Sequence, residues 1–246
     1  MEISLLTDVG QKRTNNQDYA NLFVNRAGKT LIILADGMGG HRAGNIASEM
    51  AVTDLGAAWV DTQIDSVNQV REWFAEHLEE ENQRIHQFGQ DEEYKGMGTT
   101  LEALAIIDNQ AIYAHIGDSR IGLIRGDEYR QLTNDHSLVN ALLKAGQITP
   151  EEAERHPQKN IITQSIGQKD EVQPDYGMIT LEDSDYLLLN SDGLTNMISD
   201  SEICDIVTSD ISLSEKTETL IRFANNAGGL DNITVALVRF DKEDKA

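Results

Sequence analysis

Four short segments each place an aspartate beside glycine or another small residue where an apolar strand ends: Ala35-Asp36-Gly37-Met38-Gly39-Gly40, Gly117-Asp118-Ser119-Arg120, Ser191-Asp192-Gly193 and Gly229-Leu230-Asp231-Asn232. Tight turns at strand ends sit at the rim of a rigid scaffold, where several carboxylates can converge on one point. Two unit charges about 4 Å apart repel by roughly 4 kcal/mol at an effective dielectric of 20. Gathering several would destabilise the fold unless cations bound among them. The pattern predicts a multi-metal oxygen site. No Cys/His spacing of zinc type competes with it, and oxygen ligands favour Mg²⁺ or Mn²⁺.

The rest of the composition narrows the setting. A chain of 246 residues with 39% hydrophobic content can bury a large core. A formal charge of −22 disfavours binding to nucleic acid or to anionic membrane surfaces. Part of that charge reads as plain solvation, as in the runs Glu79–Glu81 and Asp91–Glu93. The single cysteine, Cys204, excludes a disulfide framework and fits a reducing compartment; its helical surroundings read it as a small core residue. The N-terminal residues carry no basic region or long apolar stretch, and the purest apolar runs, Leu31–Ala35 and Ala103–Ile107, are strand-sized. A cytoplasmic protein without membrane insertion is expected.

No linker, repeat or low-complexity tract divides the chain, so residues 1–246 read as one domain. Strands are expected at 3–7, 18–24, 30–35, 99–107, 110–116, 121–125, 128–132, 176–180, 186–190 and 233–240. A first helix opens after Gly44 with an apolar face of Ile46, Ala47, Met50, Ala51, Leu55 and Ala57. A second, from Ser66 to Phe88, carries Val70, Phe74, Leu78, Ile85 and Phe88 on one stripe. Two more helices span 201–209 and 212–227. Between strands, residues 135–166 break the β pattern with short helices at 137–145 and 150–155, the latter opening on Pro150 behind a Thr149 cap. This segment reads as a flap over the rim. Two antiparallel sheets packed face to face, with helices on both outer sides, would bury both faces of such strands. The fold class is α+β, a four-layer α-β-β-α sandwich.

Asp36 follows a buried run, so sheet pairing fixes its backbone while its carboxylate reaches past the edge. Gly37, Gly39 and Gly40 let the main chain approach a ligand, and a glycine carbonyl can serve as a further hard oxygen donor. Asp192 repeats the device, Asp231 precedes the last strand, and Asp118 leaves the strand holding Tyr113 and His115. Arg13, in Arg13-Thr14-Asn15-Asn16-Gln17-Asp18, adds a planar fork that matches phosphate oxygens.

The ordered series Arg13…Gln17-Asp18, Asp36-Gly37-Met38-Gly39-Gly40, Gly98-Thr99-Thr100, Gly117-Asp118-Ser119-Arg120, Ser191-Asp192-Gly193 and Asp231-Asn232-Ile233-Thr234 resembles the motifs of the metal-dependent protein serine/threonine phosphatases (PPM, or protein phosphatase 2C, family), most of all their bacterial branch. The resemblance implies hydrolysis of phosphoserine and phosphothreonine on proteins by a metal-activated water at a multinuclear Mg²⁺/Mn²⁺ site. It implies that Asp36 bridges two ions with the Gly37 carbonyl on one, and that Asp192 and Asp231 complete the other's ligands. Asp118 with Asp192 would hold a third, weaker ion, Asp18 would support the water, and Arg13 would grip the phosphate. Gly98, Thr99, Thr100 and Asn232 would orient these ligands. Many relatives have histidine, the proposed general acid, where this chain has Met38, so that role would pass to a metal-bound water or to His41, or be dispensed with. His77, His86 and His115 read as structural, while His136 and His156 flank the flap and could tune it.

The expected partners are phosphorylated proteins, with a cognate membrane Ser/Thr kinase as the activity opposed in signalling, and the expected state is a monomer. Two alternatives stand beside the phosphatase reading: a non-catalytic phosphoprotein-binding module on the same fold, and a hydrolase of small phosphate esters. The acidic surface would favour basic or neutral residues around the phosphorylated side chain.

Overall fold

A computed structural model describes residues 1–39 and 43–242. The chain runs β1 (Glu2–Asp8), β2 (Asp18–Val24), β3 (Thr30–Met38), α1 (Ala43–Val60), α2 (Val67–Phe88), β4 (Gly98–Thr99), β5 (Leu101–Ile107), β6 (Gln110–Ile116), β7 (Arg120–Arg125) and β8 (Glu128–Gln131). It continues through α3 (Leu138–Lys144), α4 (Pro150–Glu154), β9 (Asp175–Thr180), β10 (Asp185–Asn190), α5 (Asp192–Thr195), α6 (Asp200–Thr208), α7 (Leu213–Asn226) and β11 (Ile233–Phe240).

Successive strand side chains point to opposite faces, and here both faces are apolar because both are covered. One sheet is ordered β1-β11-β10-β7-β8 and the other β2-β3-β5-β6-β9, with β4 paired to β3; all pairings are antiparallel. On β3, Leu31, Ile33 and Ala35 pack under α1 and α2, while Ile32 and Leu34 face the second sheet. On β11, Val235 and Leu237 meet α6 and α7, while Ala236 and Val238 face back across the sandwich. Three apolar layers thus separate four layers of elements, α-β-β-α.

Three local expectations are corrected. Ala57 is exposed; the buried face of α1 is instead Ala43, Gly44, Ala47, Ser48, Ala51, Val52, Leu55, Gly56 and Trp59. Gly56 belongs to that face because the Phe23 ring occupies the space a side chain would need. Glu81, read as part of a solvated run, is buried beside Arg84, and burial pushes its carboxyl up to about 7. Phe88, at the end of the α2 stripe, is exposed and packs on Tyr94.

The topology positions the site. Asp18 at the start of β2 pairs across to Asp36 near the end of β3. Asn190 at the end of β10 lies between Arg120 and Val235, so Asp118, Asp192 and Asp231 adjoin strand termini at one edge of the sandwich. Among the described residues, no helix is long and apolar enough to cross a membrane.

Candidate active site

Hydrogen bonds from neighbouring turns hold the main chain around Asp36. Its N–H donates to Thr100 Oγ1 at 2.9 Å, and its carbonyl accepts from Thr99 Oγ1 and from the Thr100 N–H, both at 2.9 Å. The carbonyl oxygen of Gly37 lies against Gly44 in the first turn of α1, so closely that a β-carbon at either glycine would collide with the other's backbone. Gly117, at φ +116°, lets the chain turn sharply from β6 into Asp118.

Asn232 fastens the opposite side of the rim. Its Oδ1 accepts the Gln17 N–H at 2.8 Å, its Nδ2 donates to the carbonyls of Val9 and Asn15 at 2.9 Å each, and its own N–H donates to Asp231 Oδ1 at 2.8 Å. Asp18 is buried, and its Oδ2 accepts from the hydroxyls of Ser191 and Thr234, both at 2.7 Å. Asp192 opens α5 with Oδ2 accepting from Asn196 Nδ2 at 2.9 Å, and Arg13 Nη2 pairs with Asp231 Oδ2 at 2.7 Å.

Asp18, Asp36, Asp118, Asp192, Asp231 and Arg13 therefore meet at one rim. His41 lies outside the described residues. Burial first, then the neighbouring carboxylates, drives the acids toward their protonated forms. Asp18 is pushed up to about 7, against hydrogen bonds from Ser191 and Thr234 that hold it down. Asp118 reaches about 7 and Asp192 about 6, while Asp36 rises well above its ordinary value with Asp18, Asp192, Asp118 and Asp231 all contributing.

The donor set fits hard divalent cations. It consists of carboxylates and a nearby backbone carbonyl, and two of its buried oxygens, Asp18 Oδ1 and Asp192 Oδ1, have no hydrogen-bond partner. Among the described residues, no three His, Cys, Asp or Glu side chains are drawn into a ready-made ion cage. The mutually repelling carboxylates line the rim as neighbours without closing on a point. Beside them opens a cavity of about 700 Å³ between Asp118 and Asp192 on one side and residues 134–160 on the other.

Two features were not read from the chain. Ser191 and Thr234 hold Asp18, although both stand next to expected site residues. Glu102 and His115, fully buried, form a 2.6 Å pair. The two-residue turn Asp108–Asn109 sets the β5–β6 register that puts Glu102 opposite His115, so the pairing was derivable from the hairpin.

The chain and its fold are similar to those of known proteins. The family described as "Protein phosphatase 2C" matches residues 9–236. The chain is 84% identical over 244 residues to protein phosphatase PhpP of Streptococcus pneumoniae, covering 99% of each. Its structure superposes on that of the S. agalactiae serine/threonine phosphatase with a TM-score of 0.95 at 60% identity, covering 96% of this chain and 98% of that one. It also superposes on the catalytic domain of the serine/threonine protein phosphatase PstP in complex with two manganese ions, with a TM-score of 0.81 at 32% identity and 96% coverage of each.

Proposed function

The chain belongs to the protein phosphatase 2C family and is a serine/threonine protein phosphatase; from that premise we propose that its carboxylate rim hydrolyses phosphoserine and phosphothreonine with the help of bound Mn²⁺ or Mg²⁺. The observation that carries this reading is the grouping of five aspartates along one rim, with two buried, unpartnered carboxylate oxygens. Asp36, the Gly37 carbonyl, Asp192 and Asp231 would hold two ions, and Asp118 with Asp192 a third, weaker one. When bound, divalent ions neutralise phosphoryl charge and lower the pKa of water toward neutrality.

The chain's own residues do the positioning. Ser191 and Thr234 fix Asp18 by one oxygen, which leaves Oδ1 to orient the attacking water in line with phosphorus. Arg13, half-exposed at the rim beside Asp231, would bind phosphoryl oxygens through its planar fork. Thr99 and Thr100 fix Asp36 from behind, so that most of the catalysis is positioning and electrostatics. Met38 donates no proton, and the leaving alkoxide takes one from solvent or from His41. The same reading makes residues 1–246 one phosphatase domain with a flap at about 135–166, and sets the enzyme against a Ser/Thr kinase.

Release of phosphate from a phosphothreonine peptide, with Mn²⁺ or Mg²⁺ and with excess chelator, tests the proposal. Divalent-dependent turnover supports it, and no release under any metal condition defeats it. Peptide binding without turnover would point to a binding module. Turnover of small esters alone would point to an esterase of another kind.

A further inference from the structure

A buried polar pair that the reaction does not use ties the base of the segment between β8 and β9 to the core of a sheet. Glu102 and His115 face each other on β5 and β6, each with 0% of its side chain exposed, and His115 Nδ1 lies 2.6 Å from Glu102 Oε1. The ring's Nε2 lies 3.0 Å from the carbonyl oxygen of Asn134. A carbonyl only accepts, so Nε2 carries a proton and donates it. Glu102 fixes that ring state from the other side, whether the proton between them sits on the carboxyl or on Nδ1.

The chain just beyond Asn134 is tied to the rim. The His136 ring packs 4.6 Å from that of His115, the His136 N–H donates to the Gly117 carbonyl at 2.6 Å, and the Gly117 N–H donates to His136 Nδ1 at 3.3 Å. Gly117 immediately precedes Asp118. Asn134 and Asp135 form part of one wall of the 700 Å³ cavity, and Asp118 and Asp192 part of the other. Replacing a buried ionic pair by apolar residues is often neutral or stabilising, so packing alone does not account for this one. What it supplies is a donor aimed at a single carbonyl.

We propose that Glu102 and His115 are positioning residues that hold the Asn134–His136 wall in register with Asp118, and that the cavity so shaped seats the polypeptide flanking the phosphorylated residue. Asn140, Asn160, Thr195 and Asn196, which also line it, offer amides and a hydroxyl suited to peptide groups. The inference rests on the reading of the rim as the phosphatase site.

Steady-state kinetics with Mn²⁺ on a phosphothreonine peptide and on p-nitrophenyl phosphate test it. His115→Asn reaches Glu102 but falls short of Asn134; it is expected to raise the peptide KM about tenfold, with kcat held within about twofold, the effect of losing one well-placed donor. Glu102→Ala leaves the ring unoriented and is expected to move the peptide KM the same way, so either variant suffices if the other fails to fold. His115→Gln retains a donor at the Nε2 position, and Glu102→Gln donates to Nδ1 and keeps Nε2–H on Asn134; both should keep peptide KM near wild type. None should change KM for the small ester. The proposal is overturned if His115→Asn and His115→Gln behave alike, if KM for both substrates rises together, or if only kcat falls. Absence of wild-type turnover on both substrates would instead defeat the phosphatase reading, and this inference with it.

Discussion

Strands β7 and β10 lie side by side and carry acid at both ends, yet the two ends treat it in opposite ways. At one end Asp185, 1% exposed, is clamped by Arg125, Nε to Oδ1 at 2.8 Å and Nη2 to Oδ2 at 2.7 Å, and accepts the Glu182 N–H at 2.7 Å. At the other end the fork of Arg120 is taken by Asp135, at 3.0 and 2.7 Å, and Arg120 acts on Asp118 and Asp192 only as a nearby charge. Asp118 and Asp192 have no such clamp, and burial first, then Asp192 acting on Asp118 and Asp231 acting on Asp192, raises their carboxyl pKa values to about 7 and about 6. The two ends differ in where the arginines are committed, more than in the acids themselves. One end is closed by an ion pair, while the other leaves its acids free to take up the cations proposed above.

If the open end is functional, removing one of its charges should remove turnover and relieve the fold. Asp192→Asn is expected to lower kcat/KM by about a thousandfold, the scale set by losing a preorganised charge-stabilising group. In chelator the same variant should melt above the wild type, because a desolvated carboxylate among like charges is gone. A variant that kept full activity would break the contrast. The closed end predicts the reverse. Arg125→Ala leaves Asp185 buried and unpaired, and should cost about 3 kcal/mol in urea unfolding while leaving turnover of the residual folded enzyme intact. Loss of activity without loss of stability would show that both ends serve catalysis.

Most of the scaffold was legible in the chain. Leu31–Ala35 reads as a strand buried on both faces because no polar residue interrupts it, and Asp36 then falls at the edge. Pro150 behind Thr149 marks α4, which opens with a reciprocal Thr149–Glu152 capping box. Ala57 was misplaced because alanine suits either face of a helix, so spacing alone does not decide it. Glu81 was misread because a charge run suggests solvent, yet positions 74, 78, 81 and 85 share one face of α2, and that periodicity held the answer. That the aspartates would share one rim could be expected from four strand ends. Which arginine serves which acid could not, since the pairing depends on how residues 133–136 cross the end of β7.

Between these extremes lie the hydroxyls that hold Asp18. Ser191 is fully buried, donates to Asp18 Oδ2 at 2.7 Å and accepts the Thr234 N–H at 3.0 Å. Ser191→Ala should leave Asp18 held by Thr234 alone and lower kcat/KM about tenfold, as outer-sphere partners of metal sites commonly do. Equal activity in the variant would place Asp18 outside the machinery of the open end.

The last difference between the ends is in their response to pH. Asp18 and Asp118, near 7, and Asp192, near 6, all stand above the ordinary 3.8 of an unfolded aspartate. The folded chain therefore keeps these protons to higher pH than the unfolded chain does. The stability linked to them is complete below about pH 3.8 and is lost as pH rises through about 6 to 7. In chelator the melting temperature should accordingly fall by several degrees across that window, since each kcal/mol moves a domain of this size by about 2–4 °C. Saturating Mn²⁺ above pH 7 should restore it, because a ligand that binds only the folded state stabilises it. Asp118→Asn should flatten part of the decline, whereas Arg125→Ala should lower the curve and leave the part due to Asp118 in place. Parallel curves for wild type and Asp118→Asn would mean that the open end carries no titrating charge, and the distinction between the two ends would fail.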